Sequence, residues 1–176
     1  MSRRGQVFDN PVTGERVVVL TDPLEHSDRV LTANLIVAPG GRVATPHIHP
    51  KVRERFHVLS GKVGFKVGKE QLTLGPGQSA EVLPGTVHDW WQVGDEEASV
   101  VVEAVPGDRL AEMLTSIFGL CRDGKANAKG VPSLLQTAVM VNEFSDEMIL
   151  TSDEVVEPDP AALAMLDGEG RLTYEA

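Results

Sequence analysis

The chain has 176 residues, 41% of them apolar, which fits one globular domain or one domain with an appended segment. Acidic residues outnumber basic ones by 26 to 16, which gives a net charge of −10. Nucleic acids and anionic membranes bind basic surfaces, so this charge balance argues against both as partners. The single cysteine, Cys121, has no internal disulfide partner, and no apolar run reaches the length of a membrane span. We therefore expect a cytoplasmic protein.

The first two thirds of the chain predict short β-strands separated by turns. Residues 8–20 form a predicted hairpin around the turn Asn10-Pro11-Val12-Thr13-Gly14, because Asn, Pro and Gly favour turns. Further runs rich in Val, Leu and Ile, bounded by turn residues, predict strands at 31–38, 55–59, 63–67, 71–74, 79–83, 88–93 and 98–105. Many short strands at near-regular spacing are typical of a β-sandwich or barrel.

After Pro106-Gly107 the pattern becomes helical. Apolar residues recur every three or four positions from Asp108, which suits an N-cap, to Leu120, and this rhythm predicts a helix. A polar stretch over 122–130 predicts an exposed loop. A second helix is predicted to open at Pro132-Ser133, with one side formed by Leu134, Ala138, Val141 and Met148.

These patterns divide the chain into two parts. Residues 1–106 are predicted to form a β-barrel with an N-terminal hairpin, and residues 107–176 a helical C-terminal extension. The last part of the extension is acidic and contains prolines, with a short helix predicted around 161–166. The extension is too small for an independent domain, so we expect it to pack on the barrel or on a second subunit.

Four side chains suited to metal binding recur at strand spacing. His47 and His49 are two residues apart, so both imidazoles point to one face of an extended strand. Glu54 begins the next predicted strand, and His88 begins a later one after a Pro-Gly turn. We assign these four residues to the barrel interior. Their strand neighbours on the same faces and the nearby aromatic residues are candidates for a substrate pocket: Phe56, Phe65, Trp90 and Gln92.

Imidazole and carboxylate ligands suit one divalent transition metal, which is Fe, Mn, Ni, Zn or Cu, and the sequence does not choose among them. Four protein ligands on an octahedral ion leave two positions for water, substrate or dioxygen. The other two histidines are predicted to lie elsewhere. His57 should point away from the interior by strand alternation, and His26 lies in a polar turn.

The sequence resembles the cupin superfamily. The first motif of that family, G-x5-H-x-H-x4-E-x6-G, is matched in full by Gly41, His47, His49, Glu54 and Gly61. The second motif, G-x5-P-x-G-x2-H-x3-N, is matched by Gly77, Gly85 and His88, with Leu83 in place of Pro and Gln92 in place of Asn. The resemblance covers about residues 30–105. It implies a mainly β fold, the double-stranded β-helix or jelly roll of RmlC-like cupins, with metal ligation by three histidines and one glutamate.

By this resemblance we expect a metalloenzyme acting on a small organic substrate, most concretely a non-haem metal dioxygenase. Glu54 is then both a ligand and a candidate catalytic base. Two alternatives stay open: a redox-neutral isomerase, cyclase or lyase in which the metal polarises a carbonyl, and a non-catalytic cupin that binds a small molecule. The exposed edge strands of a jelly roll need covering, so we also expect a homodimer.

Overall fold

The computed structural model describes residues 3–41, 45–127 and 132–151. Within them, the strands are β1 (Val7–Asn10), β2 (Glu15–Thr21), β3 (Leu31–Val37), β4 (His47–Ile48), β5 (Arg53–Ser60), β6 (Val63–Val67), β7 (Glu70–Leu74), β8 (Ser79–Val82), β9 (His88–Gln92), β10 (Ala98–Val105) and β11 (Ile149–Leu150). The helices are α1 (Asp108–Arg122) and α2 (Leu134–Glu143), with a short 3-10 helix at Pro23–Glu25.

The strands form two antiparallel sheets. The larger sheet has the order β1-β2-β3-β10-β5-β8 and the smaller one the order β11-β4-β9-β6-β7. Strands that are distant in the sequence are neighbours in each sheet, as in a jelly roll. The predicted mainly β, cupin-type fold is confirmed.

The space between the sheets is filled by alternate side chains. Along β5 the exposure alternates strictly from Arg53 to Val58, so every second residue faces the interior. Phe56, Phe65 and Trp90 are each at most 3% exposed, and the rings of Phe65 and Trp90 stack with centroids 5.7 Å apart. Their apolar surface, with surrounding valines, forms the main core of the barrel.

The predicted strands from the N-terminal hairpin to 98–105 all form, with ends within two residues of the predicted ones. β4 was expected only from the two-residue spacing of His47 and His49, and β11 had no sequence signal, because a strand of two residues shows no alternation. The N-cap of α1 is Gly107, and Asp108 lies in the first turn, where a carboxylate favours the helix dipole.

The second helix is shorter than predicted. It ends at Glu143, so Met148 lies beyond it and is not on the same helix face as Val141. Val141 is exposed, and Met140 and Phe144 pack inward instead. The short helix predicted around 161–166 and the end of the predicted loop at 128–130 lie outside the described residues.

The described part of the extension packs against the barrel. Leu110, Met113 and Phe144 share a buried cluster with Leu31 and other barrel residues. Cys121, near the end of α1, is buried.

No helix in the described ranges has the length and apolarity needed to cross a membrane.

Candidate metal centre

Four polar side chains meet between the two sheets. His47 lies on β4 and His49 directly after it, whereas His88 opens β9. β4 and β9 are neighbours, and His47 pairs directly with His88. Glu54 reaches the same point from β5, in the opposite sheet. The exposed fraction of each is between 1% and 6%, so water is largely excluded from the group.

A tight turn places His88 beside the other three candidate ligands. The N–H of Gly85, three residues before His88, donates to the carbonyl of His49 at 2.8 Å. Gly85 has a φ of +79°, a left-handed conformation that favours glycine. The left-handed conformation accounts for the glycine of the second motif at this position. The hydrogen bond from Gly85 connects the loop that carries His49 to the turn before β9.

The four side chains converge closely enough to share one ion. One potential ligand atom from each of His47, His49, Glu54 and His88 lies within 4.8 Å of all the others. Glu54 Oε2 is 2.8 Å from His88 Nε2 and 3.7 Å from His49 Nε2. Ligands on opposite sides of an ion with bonds of 2.0–2.2 Å are about 4 Å apart, so small side-chain movements bring the set to coordination distance.

The other nitrogen of each imidazole contacts a backbone carbonyl. The Nδ1 atoms of His47, His49 and His88 lie 2.9, 2.7 and 3.1 Å from carbonyl oxygens. A carbonyl only accepts, so each Nδ1 carries a proton and donates it, and in the neutral imidazole each Nε2 keeps its lone pair for a metal. The acceptors are the carbonyls of Thr45, Glu147 and Thr86, in that order.

The electrostatics favour the metal-binding form at Glu54 and at His47, whereas at His88 the contact with Glu54 favours the protonated imidazole, which must lose that proton to bind a metal. Burial opposes the charge of Glu54, but the contact with His88 and the neighbouring imidazoles outweigh it and lower the pKa of Glu54. Burial, with the charges of His88 and His49, lowers the pKa of His47 to about 4. Burial also acts to lower the pKa of His88, but Glu54 raises it by more. At neutral pH Glu54 is therefore an anion and His47 a neutral imidazole, as metal ligation requires.

Two buried polar atoms indicate whether a metal fits the site. Glu54 Oε2 and His88 Nε2 are buried and have no hydrogen-bond partner among the described residues, because the geometry between them is not that of a hydrogen bond. A cation between them would satisfy both, and the donor set suits a divalent transition metal. The residues present fit such an ion.

The predicted pocket residues lie in two kinds of environment. Phe56, Phe65 and Trp90 belong to the apolar core next to the centre, and the Phe56 ring lies 6.5 Å from that of His88. Gln92 is buried with its amide fully engaged: Oε1 accepts from Gly40 N–H, and Nε2 donates to two carbonyls of the following turn. Gln92 thus connects two loops, and contact of these four residues with a substrate stays a prediction.

Sequence reasoning missed Glu147. It is 4% exposed, its Oε1 has no hydrogen-bond partner in the described ranges, and burial with nearby acidic groups raises its pKa to about 7. The sequence around it is polar, with Ser145 and Asp146 directly before it, and carries no signal of burial. A backbone carbonyl contact across 98 residues leaves no residue-type signal that could have revealed it.

The histidines outside the centre lie as predicted. His57 is exposed on the outer face of the barrel and its Nδ1 lies 2.8 Å from the Ser79 hydroxyl, whereas His26 is exposed in its turn. Neither belongs to the metal group.

The family model for the cupin domain matches residues 34–103. Among curated proteins, none matches the sequence significantly. A predicted oxalate decarboxylase from Thermotoga maritima is 17% identical with a TM-score of 0.51, over 60% of this chain and 98% of the other. KdgF from Halomonas sp. is 17% identical with a TM-score of 0.50, over 57% and 86% of the two chains. An RmlC-like cupin from Shewanella frigidimarina is 15% identical with a TM-score of 0.50, over 60% and 87%.

At such identities the solved structures share the fold alone. The family model, the two-sheet topology and the group of three histidines and one glutamate fall in the same segment. The chain therefore has the cupin fold, and its residues 34–103 match the family model for the cupin domain.

Proposed function

We propose that this protein is a metal-dependent enzyme acting on a small organic substrate, and that the reaction is a dioxygenase-type oxidation. His47, His49, Glu54 and His88 hold one divalent transition metal. The observation that carries the proposal is the direction of the imidazoles: all three Nδ1 atoms contact backbone carbonyls, which leaves three Nε2 atoms and one carboxylate oxygen free to converge. When bound, the metal supplies Lewis-acid activation and, if redox-active, activation of dioxygen.

The surroundings of the centre support an oxidation. Phe56, Phe65 and Trp90 form an apolar wall beside His88, and an apolar, water-poor site protects a reactive oxidising centre from side reactions. Imidazole and carboxylate ligands with open positions are typical of non-haem iron oxygenases. Glu54 is the candidate base, since it is the one carboxylate within the ligand group.

Elemental analysis of protein purified without a histidine tag tests the metal site. We expect about one transition-metal ion per chain, and loss of that ion in His49→Ala, with His57→Ala as the matched control on the outer face. A wild-type protein that stays metal-free after exposure to Fe, Mn, Ni, Zn and Cu would overturn metal binding.

Oxygen consumption tests the reaction. Protein loaded with Fe(II) should consume dioxygen with a member of a panel of enolisable and aromatic substrates, and protein loaded with Zn should not, because Zn has no redox chemistry. Absence of oxygen uptake across that panel with full iron occupancy would reject the oxidation and leave the metal centre standing.

A redox-neutral isomerase, cyclase or lyase is the second candidate. The observation that favours it is Glu147, whose backbone carbonyl contacts His49 and whose buried carboxyl group has an oxygen without a hydrogen-bond partner in the described ranges, since proton-transfer enzymes commonly use a positioned carboxyl group. Turnover that survives without oxygen, with Zn or Ni bound, would support this candidate. A bound small molecule that is released unchanged under every condition would instead indicate a non-catalytic binding cupin.

The homodimer also stays a proposal. The larger sheet ends in β1, which carries the half-exposed Val7, and Leu20 on the neighbouring strand is 41% exposed. Edge strands with apolar side chains favour pairing with another chain. Light scattering after size-exclusion chromatography should give twice the chain mass of 18.9 kDa, and a monomer at all concentrations would contradict the proposal.

A further inference from the structure

One partner of the metal group comes from outside the cupin domain. The backbone carbonyl of Glu147 contacts Nδ1 of His49 at 2.7 Å. The residues that follow pair with the strand that carries His47, because Ile149 lies opposite Ile48 and Leu150 opposite His47. The N–H of Thr151 extends this pairing by donating to the carbonyl of Pro46 at 2.9 Å. We call residues 143–151 the C-terminal strap.

The strap is attached to the barrel through α1. Arg109 donates from Nη2 to the carbonyl of Glu143 at 2.7 Å, and its guanidinium lies 3.7 Å from the carboxylate of Asp146. The same guanidinium lies over the ring of Phe144, 4.8 Å from its centroid. Phe144 is 7% exposed and packs in the cluster that joins α1 to the barrel. One arginine side chain therefore holds the start of the strap in three ways.

The three ligand histidines differ in where their carbonyl partners come from. His47 and His88 contact the carbonyls of Thr45 and Thr86, each two residues earlier in the chain. Among the described residues, His49 is the ligand whose partner lies 98 residues away. The orientation of His49 therefore depends on tertiary packing, whereas that of the other two is local.

We propose that the C-terminal strap is a positioning element of the metal centre and that Arg109 is the positioning residue that controls it. The inference rests on the proposed metal binding. The Glu147 carbonyl keeps the proton of His49 on Nδ1 and so directs Nε2 to the metal. Because the strap is held by α1, metal affinity is coupled to the packing of the extension. Loss of such an outer hydrogen bond typically weakens metal affinity about 10–100-fold.

Metal affinity in two arginine variants tests the coupling. Arg109→Met removes the guanidinium and keeps a long apolar side chain, and Arg122→Met makes the same change at the exposed end of α1. Zn affinity measured by chelator competition should fall about tenfold in Arg109→Met and stay within twofold in Arg122→Met. Equal Zn affinity in wild type and both variants would overturn the proposal.

A third variant acts at the other end of the strap. Thr151→Pro removes the N–H that donates to Pro46, and the preceding Leu150 is already extended, as a residue before proline prefers. It should also weaken Zn binding. Should Arg109→Met fail to fold, as judged by its thermal unfolding, Thr151→Pro decides the question, and unchanged Zn affinity there would count against the strap.

The ring protons of the histidines distinguish positioning from general destabilisation. In Zn-loaded protein with 15N-labelled histidine, the Nδ1–H of His49 should exchange faster with water in Arg109→Met, while those of His47 and His88 keep their wild-type rates. A uniform change at all three rings would indicate loosening of the barrel and overturn the specific role. If wild-type protein binds none of Fe, Mn, Ni, Zn and Cu, the proposed function fails. If it binds Zn with no change in His49, this inference fails and the proposed function stands.

Discussion

The two faces of strand β5 both carry ionisable side chains, but the hydrogen bonding of these side chains differs between the faces. The inner face presents Glu54 to the three histidines of the candidate metal site, and the outer face presents Arg55 and His57. On the outer face every one of these groups has a partner: Arg55 Nε donates to Glu81 at 3.2 Å, and His57 contacts the Ser79 hydroxyl. On the inner face, Glu54 Oε2 and His88 Nε2 are buried 2.8 Å apart and have no hydrogen bond within the described part of the chain.

The difference lies in the solvent and in the geometry around each group. Exposed polar atoms exchange protein partners for water at little cost, whereas an unpaired buried atom loses its hydration without compensation. A protein tolerates unpaired buried polar atoms at a site where a bound ion or ligand completes their bonding. The inner face of β5 therefore has the features expected of the proposed metal site, whereas the outer face of the same strand is a solvated surface.

The largest expected effect comes from removing one histidine from each face. His88→Ala should weaken metal binding by about a hundred- to a thousandfold, since roughly 10–16 kcal/mol of metal binding is shared among four ligands. His57→Ala should leave the affinity unchanged. Chelator competition with Zn measures both. Similar losses in the two variants would mean that the inner and outer faces do not differ in the way proposed.

Glu15, another buried carboxyl group, sharpens the comparison, because no imidazole contributes to its pKa. Burial raises the pKa of Glu15 to about 7 although the Thr13 hydroxyl donates to it at 2.5 Å, whereas the imidazoles lower the pKa of Glu54. Burial alone therefore penalises the charge, and the ligand histidines reverse the sign.

Stability against pH tests this reading of Glu15. Below about pH 4.5 the carboxyl group is protonated in both the folded and the unfolded chain. Between about 4.5 and 7 the unfolded chain releases the proton first, so the stability falls as the pH rises, by about 3 kcal/mol in total. Glu15→Gln should remove this slope and be more stable than wild type at pH 8.

Urea unfolding of metal-free protein at pH 5 and pH 8 measures the effect. The matched control is Glu25→Gln, because Glu25 is exposed. Identical pH slopes in wild type and Glu15→Gln would show that burial of Glu15 does not raise its pKa.

A smaller effect is expected when the charge of Glu54 is removed without changing its shape. In metal-free Glu54→Gln the pKa of His88 should fall, because contact with Glu54 raises it against the effect of burial. Glu81→Gln, on the outer face, should leave it unchanged. A histidine titration followed by NMR measures this, and a constant His88 pKa in Glu54→Gln would show that the pair is not coupled.

Much of the inner face could be predicted from the sequence. Strand alternation correctly directs Glu54 inward and His57 outward, because side chains on a strand point alternately to the two faces. The two-residue spacing of His47 and His49 likewise places both imidazoles in the group that converges between the sheets. These are local rules, and they apply wherever the chain is extended.

What could not be predicted depends on distant contacts. The carbonyl of Glu147 reaches His49 across 98 residues, and backbone carbonyls are the same in every residue type. The prediction of which side of α2 packs inward was also wrong, since Met140 faces the barrel and Val141 faces the solvent. A helix of ten residues with apolar groups on several sides leaves that choice to its neighbours.

The smallest expected effect belongs to the ion pairs of the outer face. Arg55 and Glu81 are 60% and 42% exposed, so water and salt screen their attraction. Arg55→Ala should change the free energy of unfolding by less than about 1 kcal/mol and leave metal affinity unaltered. Urea unfolding at low and high salt measures the first and chelator competition the second. A change in metal affinity would show that the outer row acts through β5 on Glu54, and the two faces would then have to be treated as one site.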